Sequence, residues 1–222
     1  MTERLVFPDP EAAADALTFA GRSARLGDAG LRLQARGGAL ALTTAVLVPR
    51  GLLDATPTVL GMRIVPVDPE LECDLVVDPS ALFRATETEI ALPATGLAPP
   101  WSGVSPPRSG WEEIGGLEAS VLAVRAQFGI AQVADSVLAD MGEDAVRALR
   151  ASVWGPSDPA VLGLPLGVAF AALGLGFIAG EERAVVRSAG PWSRVSLKRG
   201  HILSRGPAVR GLTPVRNTGR RA

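Results

Sequence analysis

The sequence predicts an α+β fold, and three observations carry that expectation. Between Gly30 and Leu92 apolar residues alternate with polar ones, as in a mainly antiparallel sheet. After Trp111 the apolar period lengthens to that of helices. From Pro159 to Gly180 the chain carries neither a charge nor a polar side chain. Such a segment must be covered on all sides, so the helices are expected to pack around a central apolar helix at about 164–178. A C-terminal hairpin closes the chain. All 222 residues are expected to form a single compact unit: strand-rich 1–92, a Pro/Gly-rich crossover 93–110, helix-rich 111–182, and a basic hairpin and tail 183–222.

In chain order, Asp9-Pro10-Glu11 offers a cap, a proline for the first turn and an acid for the positive helix end, so a short helix to about Ala20 follows. Leu31, Leu33 and Ala35 alternate with Arg32, Gln34 and Arg36, a strand with one wet face. Gly37-Gly38 supplies a two-residue hairpin turn into Ala39–Val48, apolar or small on both faces and therefore central. Val59–Val67 is a further strand, its Pro66 pointing to an edge or a bulge.

Asp68, Glu70, Glu72, Asp74 and Asp78 fall on even positions, opposite Leu71, Cys73, Leu75 and Val77. On one strand these acids make a solvated face, with Cys73 on the apolar side. Thr86–Leu92 reads as another strand. Pro93–Gly110, with its prolines and glycines, excludes helix and central strand. Trp101 and Arg108, each behind a Pro-Pro pair, would suit polyproline recognition or a pocket lid, with Trp111 beside them, but a plain crossover between the two halves is the reading preferred. Leu117, Val121, Val124 and Phe128 define a buried helical stripe, and Glu143–Trp154 a second helix with Val146, Leu149 and Val153 inward and Arg147 and Arg150 outward.

The Pro159–Gly180 stretch has about the length of a membrane span. Its many Ala and Gly residues, and the acids Asp158 and Glu181-Glu182 at its ends, favour a core helix; no membrane span is expected. Gly174-Leu-Gly176-Phe-Ile-Ala179 matches a dinucleotide phosphate pattern, yet no acid follows at the ribose-binding distance, so close packing at the glycines is the reading. Beyond it, Trp192–Leu197, a turn at Lys198-Arg199-Gly200 and His201–Ser204 form the hairpin, with Gly200 as the left-handed residue of a three-residue loop.

Composition excludes several chemistries. His201 is the one histidine, so paired-histidine zinc sites are impossible, and Lys198, the one lysine, follows no glycine-rich phosphate loop. One cysteine allows no internal disulfide, in keeping with a cytoplasmic protein. No cofactor or metal is expected. Charge is what stands out: all 23 acids lie at or before Glu182, and the segment from Arg183 onward is basic.

That end binds an anionic partner, nucleic acid included, or docks on the acidic body of a second copy, or is a solvated surface. The first two share candidate contacts at Arg194, Lys198, Arg199, His201, Arg205, Arg210 and Arg216. The function expected is a non-catalytic interaction module docking through this Arg-rich end. The alternative is a small enzyme, or a small-molecule binder, with a pocket under the Trp101 loop and carboxylate chemistry. The stretches VLVPRGLLDATPTVLGMR, PLGVAFAALGLGFIAGEE, GPWSRVSLKRGHIL and GLTPVRNTG resemble a family of uncharacterised proteins of high-G+C actinobacteria. The resemblance implies a cytoplasmic bacterial protein and brings no activity with it.

Overall fold

The computed structural model describes residues 4–26, 30–51, 53–137 and 141–206. Its backbone is an α+β arrangement in which two similar halves share one sheet. The first half runs β1 (Arg4–Val6), α1 (Pro10–Leu26), β2 (Leu31–Arg36), β3 (Ala39–Leu47) and β4 (Thr58–Pro66). The second runs β8 (Glu112–Glu118), α2 (Ala119–Ser136), α3 (Glu143–Trp154), α4 (Gly167–Gly174), β9 (Arg183–Ala189), β10 (Trp192–Leu197) and β11 (Gly200–Arg205). Between them lie β5 (Cys73–Val77), β6 (Phe83–Arg84) and β7 (Glu89–Ala91).

The large sheet has the order β5-β2-β3-β4-β11-β10-β9-β8, and β1-β7-β6 form a small one. Every pairing is antiparallel, and the two halves meet where β4 pairs with β11. Both halves thus run from a strand through helix, one in the first half and three in the second, to three antiparallel strands of the large sheet, although β1 itself lies in the small sheet. No sequence repeat announces this.

Alternation sorts the side chains onto two faces. Leu31, Leu33, Val59, Val186, Val195 and Ile202 point to the inner face and join the helices in the main core. On the outer face Ala45, Leu60, Val76, Trp192 and Leu203 gather under Trp101. Residues 93–110 cross that face as a strap. Leu97 bridges to Val76 at the β5 edge, and Arg32 donates to the Ser102 carbonyl at 2.8 Å.

Several expectations hold. The Asp9 carboxylate accepts the Ala12 N–H (2.8 Å), although α1 continues past Ala20 to Leu26. Gly37 and Gly38 both take left-handed φ (57° and 79°), as the tight turn between β2 and β3 demands. Helix α4 is the buried centre of the helical layer: Val168, Ala169, Ala171 and Ala172 are wholly inaccessible. No helix among the described residues is long and apolar enough to cross a membrane.

Others are corrected. The apolar helix spans Gly167–Gly174 only, because Leu162 and Gly163 turn left-handed before it and Gly176 after it. Gly174 and Gly176 leave room for the side chains of Leu26 and Arg22, which is close packing. Pro66 ends a central strand rather than an edge one; in the last position its missing N–H disturbs nothing further along the ladder.

The acidic alternation is strand only from Cys73. Asp68 and Asp78 cap local turns, and Asp74 takes a two-pronged bond from Arg32 (2.8 and 2.9 Å). Cys73 is half-buried against the core, at the sheet's edge. The stretch after Trp111 begins as strand β8, since Gly115-Gly116 disfavour helix. Consequently α2 buries Ala119, Leu122, Ala126 and Gly129, whereas Val124 and Phe128 of the expected stripe are exposed. Strand β9 carries Arg183 and Arg187 and adds a third strand to the expected basic hairpin. The β10–β11 loop has two residues, Lys198-Arg199, with Leu197 paired to Gly200. Gly200 is glycine because the Phe177 ring occupies the place of a Cβ.

Candidate functional site

The basic C-terminal segment becomes three adjacent strands, and the register decides which cations share a face. Arg194 lies opposite both Arg187 of β9 and Leu203 of β11; Ser196 lies opposite His201, and Trp192 opposite Arg205. Arg187, Arg194, His201 and Arg205 therefore stand together on the outer face, beside the strap.

Like charges placed opposite one another repel, and the surroundings relieve this only in part. Arg187 reaches Glu113 at 3.5 Å, and Arg183 below it pairs with Glu118 at 3.0 Å. Arg194 instead lies over the Trp111 ring, 4.6 Å from its centroid, held by the ring's negative face. Its Nε is buried and has no hydrogen-bond partner among the described residues. At the hairpin tip the Lys198 N–H donates to Glu182 (2.9 Å), and the Arg199 carbonyl accepts from Arg63, itself paired with Asp15. Among the described residues Arg194, Lys198, Arg199 and Arg205 have no ion pair.

His201 registers this field. Burial, then the charges of Arg194, Arg187 and Arg63, push its pKa below the ordinary value, and its Nδ1 lies 3.0 Å from the Ser196 hydroxyl. Among the described residues the charges that act on His201 are all cationic, an arrangement that suits holding an anion. Because the unfolded chain takes up the imidazole proton more readily, the stability due to neutral His201 is whole above about pH 6.5 and is lost as pH falls below it. Urea midpoints at pH 7.5 and 5.5 should therefore differ for the wild type, and His201→Gln should narrow the gap; an unchanged gap would show that His201 is not the group responsible.

Of the residues expected at a site, the structure unites Arg194, His201 and Arg205, and leaves Lys198 and Arg199 at the hairpin tip. Arg210 and Arg216 lie outside the described residues. Trp101, a residue of the strap, is only 7% exposed and packs against the outer face of the sheet. Arg108 is exposed. Trp111 is half-buried, donates its ring N–H to the Pro107 carbonyl (3.0 Å) and supplies the surface on which Arg194 lies. Arg187 and Arg63 were not anticipated as site residues. The alternation in RAVVRSA could have placed Arg187; nothing local reveals Arg63, which arrives through β4.

Residues 1–103 match the model of one domain of unknown function, DUF8010, and residues 106–209 that of another, DUF8185. The boundary falls inside the strap. No curated protein matches the chain by sequence. Among solved structures it is similar to a putative DNA polymerase III beta subunit of Eubacterium rectale (7% identity, TM-score 0.51, covering 91% of this chain and 64% of that one). It is also similar to the DnaN sliding clamp, the DNA polymerase III beta subunit, of Bartonella birtlesii (12%, TM-score 0.50, covering 93% and 65%). The Caulobacter crescentus polymerase III beta protein is a third (9%, TM-score 0.50, covering 93% and 66%). The chain thus spans just under two thirds of the length of these proteins. At such identities the likeness is one of fold.

Proposed function

We propose that the chain is a non-catalytic interaction module of the bacterial cytoplasm, which docks a phosphate-bearing partner, duplex DNA in the first instance, through the outer face of β9–β11. The observation that carries this reading is that Arg194 and Arg205 on this face, like Lys198 and Arg199 at the adjoining hairpin tip, have no ion pair among the described residues. Unpaired guanidinium groups are the donors that phosphates take most readily. Duplex DNA is chosen as the partner because the chain shares its fold with DNA polymerase III beta subunits. On α2, by contrast, the charge of Arg125 is held by Asp158 at 2.6 Å.

Fluorescence anisotropy with labelled duplex DNA should show binding that weakens by about 0.9 log units per contacted phosphate for each log unit of added salt. Arg194→Gln with Arg205→Gln should lower that slope by about two contacts. Light scattering under the same conditions distinguishes self-association through the acidic body, which would give salt-sensitive oligomers and poor DNA binding. A monomer at every salt concentration without affinity for DNA overturns both.

A further inference from the structure

A groove of about 570 Å³ opens between α3 and the end of β3, far along the chain from the basic hairpin. Its size falls within the roughly 300–1,000 Å³ of small-molecule sites. One wall is apolar, formed by Leu26, Val46, Leu47 and Ala151; Arg50, Arg147 and Arg150 stand around it.

Arg150, expected to point outward, is half-buried. Its Nη2 donates to the Leu26 carbonyl (2.9 Å), and its guanidinium lies 5.7 Å from the centre of the Phe170 ring. No carboxylate among the described residues pairs with it, and burial pushes its pKa down. A desolvated cation without a counter-charge is costly to keep.

Arg147, one turn earlier on α3, leaves the helix on the same face. Its pairings with Glu143 (3.4 Å) and Asp144 (3.8 Å) join exposed groups and hold it weakly. The acid on the groove wall, Asp54, is already committed. Its two oxygens accept the N–H groups of Arg50 (2.8 Å) and Thr56 (2.9 Å), and the Thr56 side chain, then these two bonds, keep its pKa low.

We propose that this groove binds a small amphipathic carboxylate of the medium-chain fatty-acid class, its head group held by Arg147 and Arg150 and its chain lying along Val46 and Leu47. Paired guanidinium groups match a carboxylate's two oxygens, and the apolar wall takes the tail out of water. A neutral alcohol of equal length would leave Arg150 unneutralised. A tail without the charge is therefore a poor ligand.

Calorimetric titration of the full chain with decanoate below its micellar concentration tests this independently of DNA binding. One saturable site per chain is expected, with decanol bound at least about tenfold more weakly and Arg150→Leu losing at least about tenfold, as for loss of a charged hydrogen-bonded pair. Ala148 lines the groove with an exposed side chain. Ala148→Trp should fill the groove and abolish binding at an unchanged melting temperature, which keeps the test decisive if Arg150→Leu fails to fold. The proposal is overturned if decanoate does not saturate a site, if decanol binds as tightly, or if Ala148→Trp binds like the wild type.

Discussion

Ala172→Asp is expected to lower the stability of the protein by several kcal/mol, about as much as any single substitution can. Ala172 lies in the middle of α4, wholly inaccessible, in a helix enclosed by neighbours. A carboxylate there either stays charged without a partner or takes up a proton, and both cost about 3–5 kcal/mol or more once overpacking is added. Against a total stability of about 5–15 kcal/mol, that removes much or all of the margin. Circular dichroism and a urea titration of the purified variant measure it. A cooperative transition within a few degrees of the wild-type melting temperature would mean that α4 is not the centre of the helical layer.

The second large effect centres on Phe177. Its ring is 1% exposed, stacks on Phe19 with 5.9 Å between centroids and 5° between planes, and covers Gly200. Phe177→Ala should cost about 3–5 kcal/mol, transfer and cavity terms together. Gly200→Ala forces a methyl group into the ring and should cost about 1–3 kcal/mol. In the double variant the methyl group enters space the ring has left, so the combined loss should fall short of the sum by about 1 kcal/mol or more. Urea unfolding of all four proteins closes the cycle. Additivity would show that ring and glycine do not share that space.

What the sequence made legible was local. The Asp9 cap, the Gly37-Gly38 turn, the two-faced apolar strand β3 and the helix Glu143–Trp154 each depend on neighbouring residues, and each stands where its residues put it. Strand β8 was hidden because Leu117, Val121 and Val124 mimic helical spacing across a strand-to-helix junction. The burial of Arg150 was hidden because a guanidinium on a helix normally faces water; here Phe170 and the Leu26 carbonyl, from two other elements, give it a reason to turn inward.

At the candidate site the excess of charge was plain, but its arrangement was not. Arg187 and Arg194 become neighbours only through strand register. Arg63 reaches the hairpin tip only because β4 pairs with β11.

That seam also sets the tempo at which the molecule can assemble. Met62 faces His201 across it, about 140 residues away along the chain, and pairings so remote form late because the intervening loop must close before any contact repays it. The β2–β3 and β10–β11 hairpins, by contrast, join residues separated by only two-residue loops and can form early. Refolding should therefore show the hairpins protected from hydrogen exchange before the amides of β4 and β11 that face one another. Until the seam closes, each half exposes an unpaired strand edge, and that interval is when the chain is most prone to associate with copies of itself.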